Sequence, residues 1–199
     1  IQASQKVAST QSAVNTIIEE AGEAKNIILF VGDGMGVSTV TASRILEGQM
    51  KGMSGEENSL SFGNFPFSGL SKTYNVDAQT PDSAGTMTAM MSGAKTDVGT
   101  IGVDEDIARG DCSSVAGNEL ATALELAEIA GMSTGIISTA RITHATPAAT
   151  YAKSADRNWE DNSDMPETGA EGCADIALQL VEFEENLETR HADSMLDID

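Results

Sequence analysis

Asn26-Ile27-Ile28-Leu29-Phe30-Val31 runs straight into Gly32-Asp33-Gly34-Met35-Gly36 and then into Val37-Ser38-Thr39-Val40. Five apolar residues in a row, closed by a glycine loop, read as a buried strand. Val37, Val40, Ile45 and Leu46 then recur at helical spacing, so a helix follows the loop. Strand, glycine loop and helix are the setting of a dinucleotide-binding βα unit. Two features oppose that reading. The spacing is G-x-G-x-G, with Val37 where the last glycine of G-x-G-x-x-G falls, and the Asp33 carboxylate would repel a pyrophosphate. A carboxylate at the C-terminal end of a strand, freed by flanking glycines, suits a hard or borderline cation. A structural Asp in a tight turn is the competing reading of Asp33.

Further along, Gly69–Tyr74 and Ser133–Ser138 read as strands, the latter buried through Gly135-Ile136-Ile137. Between them lie a helix from Ser83 to about Ser92 and a second one, capped by Asn118, carrying Leu120, Leu124 and Ala127 and closed by Gly131. Helices are also expected from Pro147 to about Ser154 and from Gly169 through Cys173, Ile176, Leu180 and Leu187. Alternating strand and helix predicts an α/β fold with a mainly parallel central sheet flanked by helices. Val14, Ile17 and Ile18 share one helical face, which predicts an N-terminal helical arm over residues 1–24 ahead of an α/β domain over 25–199.

The 199 residues are 40% hydrophobic and only 4% aromatic, so the core must rest on Ala, Val, Ile, Leu and Met. The net charge is −20, and fourteen acidic residues face only Arg157 and Arg190 from Asp156 to the end. General attraction to nucleic acid or anionic lipid is thereby excluded as a basis for function. An acidic solvent face suits a salty medium, which gives a halophilic expectation. No apolar run approaches the roughly 20 residues of a membrane span. The opening on Ile1 rather than Met suggests a processed or trimmed N-terminus. Cys112 and Cys173 are too few for a structural zinc site; pairing and two separate buried thiols are both open.

The chemistry-bearing stretch is Thr80-Pro81-Asp82-Ser83-Ala84-Gly85-Thr86-Met87-Thr88. It places Ser83 at a helix start, where unsatisfied N–H groups and the helix dipole favour a phosphate. A hydroxyl there can attack phosphorus once its pKa is lowered. Asp82 or Ser83 acting as an N-cap is the plainer reading. His144 and Thr146, two apart after the strand of Ser133–Ser138, project to one side of an extended backbone. A hydrogen-bonding histidine is the plainer reading of His144.

Val31–Gly36, Pro81–Thr86, Thr143-His144-Ala145-Thr146-Pro147 and Asp156-Arg157-Asn158-Trp159, in that order, resemble the alkaline phosphatases. The resemblance covers about Lys25 to Phe183 and implies an alkaline-phosphatase-like α/β fold and hydrolysis of phosphate monoesters with two zinc ions and one magnesium. It implies that Ser83 is the nucleophile and a zinc ligand, that Arg157 grips phosphate and that Asp82 orients Arg157. It further implies that Asp33 bridges zinc and magnesium, that Thr146 ligates magnesium and that His144 acts on the metals through water. The Gly172-Cys173-Ala174-Asp175-Ile176 segment looks like one that bears a disulfide cysteine in some members, which implies a Cys112–Cys173 bond and a periplasmic or secreted setting.

Thr80 and Met87 depart from the family's usual residues without removing a chemical group. The larger departure is absence. The family completes its metal sites with Asp, Glu and His residues from the second half of a longer chain, whereas this sequence holds two His. The expectation is therefore the N-terminal part of an α/β domain, an incomplete domain that is inactive alone. It would be complemented by a C-terminal part and homodimeric in the intact enzyme. The alternatives are an isolated metal- or phosphate-binding fragment, and a related sulfatase or phosphodiesterase. The sulfatase reading lacks its C/S-x-P-x-R context at Asp82-Ser83-Ala84-Gly85.

Overall fold

The computed structural model describes residues 24–195. The arm helix expected around Val14, Ile17 and Ile18 lies outside the described residues. The chain divides into two compact units, Ile1–Ser71 and Lys72–Asp199.

In the first unit, helix α1 (Val37–Met50) follows the glycine loop, as the spacing predicts. The loop turns at Gly34, whose φ of 65° favours glycine, and Gly36 is the extended residue before the helix. The connection after α1 folds back on it. Asn58 donates to Arg44 O at 3.0 Å and to Glu47 Oε2 at 2.6 Å, and Arg44 Nη1 donates to Gly55 O, Glu56 O and Asn58 O. A short 3₁₀ turn, Ser61–Asn64, follows.

The second unit carries α2 (Ser83–Ser92), α3 (Ala123–Ile129), α4 (Ala145–Ala148), α5 (Ile176–Val181) and α6 (Phe183–Met195). Helix α2 packs on α3 and α4. It starts at a side-chain-capped Asp82 and stops at Gly93, whose φ of 80° ends the helix in the left-handed region. Beneath the loops lies a cluster of Val103, Ile107, Cys112, Val115, Ala155 and Trp159. Cys112 and Cys173 are bonded across it, with Cα atoms 5.8 Å apart. Closing a loop of 61 residues is worth about 4 kcal/mol in the chain-entropy picture.

Three helix boundaries differ from expectation, each for a visible reason. Thr122, not Asn118, caps α3, because Glu125 three residues on completes a capping box, while Asn118 donates to Ser114 O at 2.9 Å in the preceding turn. Helix α4 ends at Ala148 rather than near Ser154. Lys153 N donates to the Gln179 side chain, and Ser154 exchanges 2.8 and 2.9 Å backbone bonds with Ile101, so those groups are not available to a helix. Gly169 and Gly172 stand at φ of 90° and 91°, and α5 begins only after Asp175, whose carboxylate accepts from Leu178 N at 2.8 Å.

The described residues form no β-strand, only isolated bridges at Ile101–Ser154 and Val103–Glu119. The segments read as buried strands are exposed: Phe30 is 90% and Ile137 fully accessible. A strand is stable only when a neighbour accepts its ladder and covers its face.

Candidate functional site

The site is built at the first turn of α2. Pro81 precedes Asp82, whose extended backbone (φ −109°, ψ 170°) puts its carboxylate over the open N–H groups of the helix. Oδ1 accepts from Gly85 N at 3.1 Å and from Asn75 Nδ2 at 2.9 Å. Oδ2 accepts from Gly99 N and Arg157 Nη1, both at 2.9 Å. Burial pushes the Asp82 carboxyl up, but the Gly85 N–H, the Asn75 amide and Arg157 together hold it below its ordinary value. Ser83 follows as the first residue of α2 and is half-buried, while Ala84 and Gly85 are buried beneath it.

Arg157 comes from a loop 75 residues further on. Gly99 fixes it from the backbone, giving N–H to Asp82 and accepting Arg157 N at 2.7 Å. Gly99 has a φ of 85°, a conformation that favours glycine, and a Cβ there would displace the Arg109 guanidinium. Arg109 in turn forms a two-point pair with Asp156, at 3.0 and 3.2 Å. The residue before Arg157 is thus anchored as well.

His144 caps α4, and its Nε2 lies 3.5 Å from Arg157 Nη2. Its Nδ1 is buried and has no hydrogen-bond partner among the described residues. Thr146 lies on α4, the helix packed against α2. Nearby, Glu160 takes both arms of Arg141, at 2.8 and 2.6 Å, and the Thr143 hydroxyl at 2.7 Å. Arg141 and then Thr143 lower the Glu160 carboxyl to about 2, against the opposing effect of burial.

The structure therefore brings Asp82, Ser83, Arg157 and His144 together, with Thr146 on the adjoining helix. Asp33 belongs to the other unit. Among the described residues, no group of three or more His, Cys, Asp and Glu is placed to hold a metal ion. Sequence reading missed Asn75, Gly99 and Arg109. A Gly- and Asp-rich stretch marks Gly99 only as loop, and no pattern points to Asn75. The arrangement offers a hydroxyl at a helix N-terminus beside a carboxylate-oriented guanidinium, which is a geometry for a tetrahedral oxyanion.

A family model described as Alkaline phosphatase matches residues 24–188. The chain is 55% identical over 159 residues to the tissue-nonspecific alkaline phosphatase of Rattus norvegicus and 54% identical to that of Homo sapiens. Each match covers 79% of this chain and 30% of the relative, so the chain spans about a third of the length of these relatives. Among solved structures it is similar to a cold-active alkaline phosphatase from the psychrophile Shewanella sp. The TM-score is 0.54 and the identity 32%, over 65% of this chain and 30% of that one.

Proposed function

The chain belongs to the alkaline phosphatase family, and on that footing we propose that it carries the nucleophile and phosphate grip of a phosphomonoesterase. The observation that carries this reading is the convergence of Ser83, Asp82 and Arg157 at one helix N-terminus. Ser83 Oγ bonds to phosphorus as the bond from phosphorus to the alcohol oxygen breaks. The proton lost by Ser83 is matched by one gained by the departing alcohol. Water then hydrolyses the phosphoserine, releasing phosphate and restoring the hydroxyl. Throughout, the planar Arg157 fork meets two phosphoryl oxygens, and Asp82 keeps the fork turned toward them.

For two zinc ions and one magnesium this chain would supply only a few of the donors needed. Asp33, Ser83 and Thr146 offer oxygen, as hard cations prefer. A single structural zinc nevertheless takes about four ligands, and no described cluster of three acidic, His or Cys groups is present. We assign Asp33, Ser83 and Thr146 as ligands, His144 as a neighbour acting through water, and the remaining ligands to residues outside these 199. Bound there, the metals would supply Lewis-acid chemistry that lowers the pKa of a hydroxyl or of water. The same reading assigns the exposed apolar segments around Phe30 and Ile137 to a parallel sheet completed by further chain, and homodimer formation to the whole protein. The Cys112–Cys173 bond supports a periplasmic or secreted location, and the acidic surface a saline one. No helix of the described residues is long and apolar enough to cross a membrane.

The test is turnover of nitrophenyl phosphate with zinc and magnesium by the longer protein that carries this chain. Turnover lost in Ser83→Ala, and absent from the 199-residue chain alone, is the expected result. Undiminished turnover in Ser83→Ala refutes it.

A further inference from the structure

Asn75 is 2% exposed and has no part in the reaction proposed above. Its Nδ2 donates to Asp82 Oδ1 at 2.9 Å, while its own Oδ1 is buried without a hydrogen-bond partner. A buried unsatisfied carbonyl disfavours folding, and the bond from Nδ2 to the Asp82 carboxylate is what this amide sets against that cost. The residue is nevertheless held in place on both sides. Asn75 N donates to Ala78 O at 3.0 Å, and Ala78 N returns to Asn75 O at 3.4 Å. Across from it, a Cβ on Gly85 would lie 2.5 Å from Asn75 Nδ2, so only glycine in the first turn of α2 admits the amide.

The geometry of Asp82 shows what this arrangement does. The Gly85 N–H holds Oδ1 and the Gly99 N–H holds Oδ2, so two backbone donors define the plane of the carboxylate. Asn75 Nδ2 adds a second donor on Oδ1 from a buried side chain, which stiffens the carboxylate in that plane. Oδ2 then faces Gly99 N and Arg157 Nη1 together. We propose that Asn75, admitted by Gly85, is a positioning residue that stiffens the Asp82 carboxylate in the plane its backbone donors define and so keeps Arg157 aimed at phosphate. The proposal deepens the phosphatase reading and rests on it for the ligand.

Two readouts on the full 199-residue chain separate the two. The first is the mobility of the Arg157 guanidinium, followed by ¹⁵N relaxation at Nε. The second is the affinity for inorganic phosphate, measured by calorimetry. Asn75→Leu should loosen Arg157 and weaken phosphate binding about fivefold, the scale of one hydrogen bond. Asn75→Asp should weaken it further, because two carboxylates would then face each other. A packing role predicts the reverse order, since Asp is the isostere. Gly85→Ala should mimic Asn75→Leu, yet add no further loss in an Asn75→Ala background, because no amide remains to displace. Native-like phosphate affinity and Arg157 order in Asn75→Asp would overturn the proposal, and so would independent effects at 75 and 85. If the unaltered chain binds no phosphate, the phosphate grip proposed for these 199 residues on their own fails. Arg157 mobility then still decides the role of Asn75: loosening in the variants supports it, and unchanged order overturns it.

Discussion

Glu125 meets Lys153 at 2.9 Å and Asp82 meets Arg157 at 2.9 Å, yet the two pairs sit at different depths of the same unit. The Glu125 side chain is fully buried and Lys153 is 4% exposed, whereas Asp82 and Arg157 retain 17% and 21%. Glu125 is satisfied entirely from within. Oε2 takes Lys153 Nζ and Thr122 N, and Oε1 takes Arg190 Nη2 at 2.7 Å. Lys153 also donates to Leu120 O. These bonds tie α3 to α6 and to the stretch after α4. Glu125 receives three donors and Asp82 four, but the cation of Asp82 holds a second nitrogen only loosely, 3.5 Å from His144. A deep cluster with its oxygens filled fixes structure. A shallow one, oriented from behind, keeps a charged edge for a ligand.

The largest expected effect breaks the deep cluster. Glu125→Gln leaves Lys153 buried without its counter-charge and should lower the unfolding free energy by about 3–5 kcal/mol. Urea denaturation measures this, with phosphate affinity unchanged in the fraction still folded. Arg157→Lys should do the opposite. Its unfolding free energy should change by less than about 1 kcal/mol. Phosphate affinity should fall about tenfold, because an ammonium cannot copy a planar fork. Equal destabilisation by the two substitutions would erase the distinction between the clusters.

Acid provides a milder test. Glu160 titrates at about 2 in the folded chain against an ordinary 4.5, so its contribution is fully present above about 4.5 and is lost as pH falls toward 2. Glu125 has the same sign: burial pushes it up, but Lys153, the Thr122 N–H and Arg190 together more than offset this. Glu160→Gln should therefore flatten part of the stability loss between pH 4.5 and 2 and change little near neutrality. The smallest effect is expected from salt. Raised ionic strength should weaken the contribution of Arg141–Glu160, whose Arg141 is 68% exposed, and leave the Glu125 cluster nearly untouched. Denaturation at two salt concentrations, with and without Glu160→Gln, checks it.

How much was legible in the sequence follows the range of each interaction. Local signals read well: the Gly36 entry to α1, and the Asp82 start and Gly93 stop of α2, all lie within a few residues of what they control. The Thr122–Glu125 capping box was equally local, but Asn118 offered a rival cap and drew the helix start too early. The Asp82–Arg157 pair spans 75 residues and was reached through family resemblance, because no spacing rule joins such positions. Asn75 was invisible, since one buried amide leaves no periodicity. The apolar runs at Ile27–Phe30 and Ile136–Ile137 reported a tendency to be covered. They carried no information about what, if anything, would cover them.

The central claim is that Ser83 takes up the phosphoryl group beside the Asp82–Arg157 pair. Its most direct test is acid-quenched peptide mass spectrometry of a protein carrying this chain together with the proposed C-terminal part, incubated with zinc and magnesium and exposed to an aryl phosphate. One phosphoryl group on the peptide holding Ser83, lost in Ser83→Ala and diminished in Arg157→Ala, is the expected result. A label that persists in Ser83→Ala, or turnover with no label at any quench time, would contradict it.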